Sequence, residues 1–233
     1  MSHEYAAFPT RRWAFMAAAL CVVLVALFLK VDMALALKLH AWSTPLSEGV
    51  FNAIDELGSS ELYLVPALVL YIWALWTMRS GRAMPFAWDS DRVARASLFL
   101  ITTMALGGII TVTLKSLVAR ARPELLFEKG LYGLGAPFSG VADFNSFPSS
   151  HTQAAFAAAA ALAILAPRWR IPLMVVASAV ATARVVNLDH YLSDVLAAAF
   201  IAIASAAIMA PLILNRESRW PLRTPWRWFA QSV

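Results

Sequence analysis

Phe147-Pro148-Ser149-Ser150-His151 opens directly onto an alanine-rich apolar run, residues 152–166. A helix that starts here presents two hydroxyls, an imidazole and several unpaired backbone N–H groups at the mouth of a greasy segment. Those are the makings of an anion site. Ser-Ser before a helix is also ordinary capping chemistry. The weight of the reading therefore rests on whether other phosphate-binding residues reach the same level.

Outward from this stretch, the 233-residue chain is 61% hydrophobic and only 14% charged, too apolar for an ordinary soluble domain. Its apolar residues fall into runs long enough to cross a bilayer, which takes about 20 helical residues. The expectation is an all-α polytopic membrane protein, residues 1–233 forming a single membrane domain with six transmembrane helices. The single cysteine, Cys21, lies inside an apolar run, so no intramolecular disulfide can form.

The first span is expected over residues 13–29. Arg11-Arg12, the apolar run and Ala34-Leu35-Ala36 imitate a cleavable signal peptide, but the run is long, and Lys30 and Asp32 intervene. An uncleaved anchor is the reading. Residues 31–60 read as a non-spanning connection in which Thr44-Pro45 starts a short amphipathic helix suited to the interface. Leu46, Val50, Phe51, Ile54 and Leu57 form its apolar face, and Gly58-Ser59-Ser60 ends it. His40 reads as an interfacial histidine without chemical duty. Further spans are expected over 62–78, 96–117, from the opening pentapeptide to Pro167, 171–186 and 193–214. Residues 118–148 form a long polar connection between spans, and residues 215–233 a basic, aromatic cytoplasmic tail.

Six spans put both termini on one side. That side would carry twelve of the nineteen basic residues, Arg168 and Arg170 among them, against Glu4, Asp89, Asp91 and Glu217. By the positive-inside rule the termini are cytoplasmic in the inner or plasma membrane, and the other face looks outward. The net charge of +5 is thus explained by topology and not by nucleic acid.

On that outer face sit Lys115, Arg122, Arg184 and His190. A charge inside the end of a span is costly unless partnered. Two like charges roughly 7 Å apart repel by about 2 kcal/mol at an effective dielectric near 20, so converging cations call for an anion. Arg120 and Lys129 read instead as snorkelling to headgroups. Lys115 and Arg122 are seven apart, which places both on one face of a continuing helix before Pro123 turns the chain away. His190 and Asp194 are four apart, so the carboxylate can reach the imidazole and fix its tautomer. Capping by Asp194 is the plainer alternative. His151 is a second imidazole at the same depth, available as a general acid. Asp143 and Asp189 read as loop residues, and no carboxylate cluster suggests a metal.

Three blocks carry a resemblance: Lys115-Ser-Leu-Val-Ala-Arg-Ala-Arg122-Pro123, Pro148-Ser149-Ser150-His151, and Ala183-Arg184 followed by His190 and Asp194. In order and spacing they resemble the three-part signature of the type-2 phosphatidic acid phosphatase family, K-x6-R-P, P-S-G-H and S-R-x5-H-x3-D, over about residues 96–210. Ser150 stands where the family has glycine, and Ala183 where it has serine. The resemblance implies that His190 attacks phosphorus to form a phosphohistidine, that Asp194 orients His190, and that His151 protonates the leaving oxygen and then activates water. It implies that Lys115, Arg122, Ser149, Ser150 and Arg184 hold the phosphate oxygens, with no metal and no cofactor. The substrate class implied is a membrane lipid phosphate: polyprenyl diphosphate, phosphatidate, phosphatidylglycerol phosphate or the phosphate of lipid A. A phosphotransferase using the same phosphohistidine, and a non-catalytic binder or transporter of anionic lipids, are the alternatives. A vanadate-dependent haloperoxidase is disfavoured because that branch is soluble.

Overall fold

The computed structural model describes residue 5, residues 8–85 and residues 88–215. The basic tail expected over 215–233 lies outside the described residues from 216 onward. Among those described the chain is all-α, with one isolated bridge between Arg120 and Leu134. In order the helices are α1 (Thr10–Lys30), α2 (Asp32–Trp42), α3 (Pro45–Asp55), α4 (Glu61–Ser80), α5 (Ser90–Val118), α6 (Pro123–Lys129), α7 (Ser150–Leu165), α8 (Arg170–Val186) and α9 (Leu192–Ile213).

Alanine decides the packing. α7 lies between α5, α8 and α9, and Ala154, Ala155, Ala157, Ala158, Ala159 and Ala161 are all buried. Side chains this small let backbones approach closely, which drives helix association where the surrounding lipid is as apolar as the helices. Ala160 and Ala161 pack with Phe99, Ala206 and Ala210, while Ala155 and Ala159 pack with Ala177 and Val180. Conversely, α1 buries none of its residues and exposes Phe15, Val22 and Leu29, as a lipid-facing helix does.

Among the described residues, five helical stretches are long and apolar enough to cross a bilayer: Thr10–Lys30, Pro45–Ser80, Ser90–Val118, Pro167–Val186 and Leu192–Ile213. The sixth expected span, α7, has 16 residues and rises about 24 Å, short of a hydrocarbon core about 30 Å thick.

Residues 31–60 hold more structure than their polarity announces. α3 starts where expected: Thr44 Oγ1 accepts from the Ser47 N–H at 3.2 Å, and Ser47 Oγ accepts from the Thr44 N–H at 2.9 Å. The connection before it, however, is helical as α2, and Asp32 at its start is 1% exposed.

Two readings of the 115–123 stretch need correction. α5 does not continue to Arg122. It stops at Val118, and Ala119 (φ 44°) turns left-handed while its N–H bonds the Lys115 carbonyl. The stretch after the turn is held by the polar connection: the Ala121 N–H reaches the Gly133 carbonyl (2.9 Å), and the Arg122 N–H the Asp143 carbonyl (2.9 Å). Nor does Arg120 snorkel. It is 2% exposed.

Candidate active site

Four elements converge on the N-terminal end of α7. Ser149 caps that helix, its Oγ accepting from the Thr152 N–H at 3.4 Å while its own N–H donates to the Asp194 carbonyl at 3.3 Å. The pentapeptide is thereby tied to α9. Ser149 is fully buried, Ser150 is exposed at the first turn, and His151 is half-buried behind it. His151 packs against Gly58, at the end of the short 3-10 turn Glu56–Gly58.

His190 lies in the turn between α8 and α9 and is 3% exposed. Its Nδ1 faces Asp194 Oδ2 at 3.7 Å, longer than a hydrogen bond. The capping alternative for Asp194 holds at the same time: Oδ2 accepts from the Tyr191 N–H at 2.9 Å and from Ser146 Oγ at 2.6 Å. With Nδ1 turned to Asp194, Nε2 is the nitrogen left for chemistry. Burial pushes the imidazole down to about 4 against the pull of Asp194, and Lys115 and Arg184 push the same way. Burial thus favours the neutral imidazole, the form that nucleophilic chemistry would need.

The cations gather as their chemistry requires. Lys115 repels Arg122 and Arg184 and is drawn to Asp194, so the four groups share one field. Lys115 Nζ donates to the Asn145 carbonyl at 2.5 Å. Arg184 is 8% exposed, and its Nη1 is held by Asp55 Oδ2 at 2.5 Å and Asp189 Oδ2 at 3.1 Å. Burial raises the Asp189 carboxyl, while Arg184, Arg122 and His151 act to lower it. Asp189 is thus a loop residue, as read, and its place is beside Arg184. Arg122 Nε and Arg184 Nε are buried without partners, donors free for an anion. Asp143 and Lys129, by contrast, are exposed and 3.8 Å apart.

Sequence reasoning missed a cage behind Asp194. Arg120 Nη1 donates to Asp194 Oδ1 and to Ser193 Oγ, both at 2.6 Å, and Nη2 donates to Asp32 Oδ2 at 2.9 Å. Asp32 accepts further from the Ser193 N–H at 3.1 Å and from Ser193 Oγ. The guanidinium lies over the rings of Tyr191 (4.2 Å) and Phe28 (4.9 Å). Burial alone would lower the Arg120 pKa, but Asp194 and Asp32 outweigh it and hold the group above its usual value. The one signal available was an acidic residue at the close of an apolar span.

Two cavities flank the His190 turn. A polar cleft of about 410 Å³ is lined by His40, Ser43, Glu48, Asn52 and Asn187, and an apolar groove of about 390 Å³ by Leu35, Leu39, Phe156, Val185, Leu192 and Val195. Val186 borders both.

A family model for the PAP2 superfamily matches residues 96–218, more than half of the chain. The chain belongs to the PAP2 superfamily. The match takes in all three blocks of the signature and every candidate site residue. Curated relatives include a lipid A 1-phosphatase of Rhizobium etli, 39% identical over 99 residues (42% of each chain), and one of Rhizobium johnstonii, 34% identical over 131 residues (53% of each). The aligned part thus spans about half the length of these relatives. The fold is similar to two crystal structures. LpxE of Aquifex aeolicus gives a TM-score of 0.55 at 21% identity, over 77% of this chain and 94% of that one. A transmembrane PAP2 type phosphatidylglycerolphosphate phosphatase of Bacillus subtilis gives 0.63 at 18% identity, over 90% and 98%.

Proposed function

We propose that this PAP2 protein is an integral membrane lipid-phosphate phosphatase working through a phosphohistidine on His190. The observation that carries the reading is a buried His190 whose Nδ1 faces Asp194 at 3.7 Å, with Lys115 and Arg184 acting on the same ring and Arg122 acting on Lys115.

In the first half-reaction, His190 Nε2 attacks phosphorus and the bond from phosphorus to the lipid oxygen breaks, the leaving oxygen taking a proton from His151. Lys115, Arg122 and Arg184, with the Ser149 and Ser150 hydroxyls and the first N–H groups of α7, receive the phosphoryl oxygens where negative charge must be held. Asp194 steadies the positive imidazole ring of the intermediate. In the second half-reaction His151 takes a proton from water, which attacks phosphorus and frees inorganic phosphate and His190. The fixed cations supply the charge that a metal would otherwise bring, so turnover survives chelator.

A lipid substrate is supported by the names of both curated relatives and by the apolar groove beside the His190 turn, lined by Leu192 and Val195, which suits a lipid chain. Lipid A 1-phosphate leads the candidates because both curated relatives bear that name. The topology proposed has six crossings in the inner membrane, α7 being a short one that stops below the outer surface, with cytoplasmic termini and an outward-facing site. Arg168 and Arg170 beyond α7 support that orientation.

Purified protein in detergent, offered lipid A 1-phosphate, phosphatidate, phosphatidylglycerol phosphate and a polyprenyl diphosphate, should release inorganic phosphate from at least one, with and without chelator. Acid-quenched protein should carry 32P on His190, and His190→Ala should abolish both signals. Label appearing in a second lipid, with no free phosphate, would replace the hydrolase reading with phosphotransfer.

A further inference from the structure

We propose that Asp32 and Arg120 are positioning residues for the nucleophile, acting together through Asp194; the proposal rests on His190 being that nucleophile. The cage holds two carboxylates and one guanidinium, all 2% exposed or less. Arg120 alone would neutralise Asp194. Asp32 takes one arm of the same guanidinium (Nη2, 2.9 Å) while Asp194 takes the other (Nη1, 2.6 Å). The set therefore keeps one surplus negative charge, on the side where His190 Nδ1 stands 3.7 Å from Asp194 Oδ2.

The geometry divides the labour. Asp194 has its Oδ1 fixed by Arg120 and its Oδ2 fixed by Ser146 and the Tyr191 N–H, so the plane of the carboxylate has no freedom to turn. Ser193, the neighbour of Asp194, is gripped by Asp32 through both its N–H and its hydroxyl. Asp32 begins α2, directly after α1, and so joins the first span to the first turn of α9. A buried arginine stretched between two carboxylates from different helices is costly to assemble, and breaking one side leaves a charge uncompensated. Chemistry that develops positive charge on the His190 ring gives that surplus a use: it stabilises the phosphorylated imidazole more than the free one.

Charge and scaffold make opposite predictions about pH. The His190 ring feels Asp194 from α9, Lys115 from α5 and Arg184 from α8. Asp32→Asn removes a negative charge from this balance, so protonation of His190 becomes harder and the acidic limb of kcat/KM moves to lower pH, by about half a unit. A loosened scaffold would instead admit water and move that limb up, toward the ordinary imidazole value.

The experiment uses the full-length protein in detergent, with wild type, Asp32→Asn and the milder Ser193→Ala, which removes the shared hydroxyl and leaves every charge in place. Two readouts are taken: steady-state kinetics against pH on a lipid phosphate that wild type hydrolyses, and phosphorylation of His190 by phosphoramidate, which releases ammonia and needs no lipid. Asp32→Asn should lower kcat about 10-fold with KM within about twofold, shift the limb down, and slow His190 labelling to a similar degree. Ser193→Ala should lower kcat about threefold and leave the limb in place. Wild-type rates in both variants, or an upward limb in Asp32→Asn, overturn the proposal. Should Asp32→Asn fail to fold, an unchanged Ser193→Ala overturns it alone. A wild type inactive on every lipid but labelled at His190, with slower labelling in the variants, supports the positioning unit while ending the lipid-phosphatase reading. Absence of labelling in wild type ends both.

Discussion

Gly58 is pressed against His151: a Cβ added at residue 58 would lie 2.8 Å from His151 Cβ and 2.9 Å from Val180 Cγ1. Only the missing side chain lets the turn after α3 close over the proposed general acid. The atoms in the way belong to the root of His151 and to a fully buried valine on α8, so neither can swing aside. Gly58→Ala should lower kcat by about 10-fold or more, since a misplacement near 1 Å costs about 100-fold. Kinetics with a melting curve on the same sample checks this; normal turnover would show that His151 does not need its present place.

Gly107 offers the converse. A Cβ there would meet Gln153 Nε2 at 2.3 Å, nominally a worse clash. That atom is the far end of a flexible side chain, and it has no hydrogen-bond partner to lose. Gly107→Ala should therefore change stability by less than about 1 kcal/mol and leave activity near wild type, because helix propensity favours alanine by a similar amount. Thermal unfolding in detergent measures it, and a loss of folded protein would mean that Gln153 is fixed by something beyond its visible contacts.

The pH profile follows from the burial of His190. With its imidazole pushed down to about 4, the ring stays neutral across the range in which an exposed histidine would protonate. The catalytically competent, neutral form is present above that value and is lost as pH falls through it. The acidic limb of kcat/KM should lie near pH 4, well below 6.5. A limb at 6.5 would mean that water reaches the ring in the working enzyme.

Arg184 is held from both sides, by Asp55 on α3 and by Asp189 in the turn before His190. Both carboxylates take the one Nη1, which leaves Nε for a phosphate, whereas a lysine has a single nitrogen for all three. Arg184→Lys should cost about 100-fold in kcat/KM, and Asp55→Asn about 10-fold, chiefly through KM. Equal KM values for Asp55→Asn and wild type would remove α3 from the site.

The pattern of what was legible has physical causes. Spans announce themselves by composition, and α4, α8 and α9 stand within two residues of their expected limits, while α5 begins at Ser90, ahead of the expected 96. The signature blocks pointed to Lys115, Arg122, Arg184, His190 and Asp194 as candidates because the spacing within each block is local. Arg120 was misread because its partners Asp32 and Asp194 lie 88 and 74 residues away, and nothing local separates a caged arginine from one reaching for headgroups. The seven-residue interval from Lys115 to Arg122 looked helical, yet it spans the left-handed corner at Ala119, which no glycine marked. α2 went unseen because its residues bury only Asp32 and Ala36 and so lack a strong apolar periodicity. Gly58 was taken only for the end of a helix, since the close approach that requires it comes from a helix about a hundred residues away.

The shortness of α7 has a consequence for where the reaction happens. A helix that rises about 24 Å cannot reach both surfaces of a film about 30 Å thick. One end of α7 runs into Pro167–Trp169 and Arg170, and in the proposed topology Arg168 and Arg170 hold that end at the headgroups. The deficit then falls at the other end, where Ser149 and His151 stand. In the proposed reaction the phosphorus atom would then be met several ångströms below the lipid surface, and water for the second half-reaction would have to descend to it. Such an enzyme should be sensitive to bilayer thickness, running faster in short-chain than in long-chain phosphatidylcholine vesicles of equal substrate density.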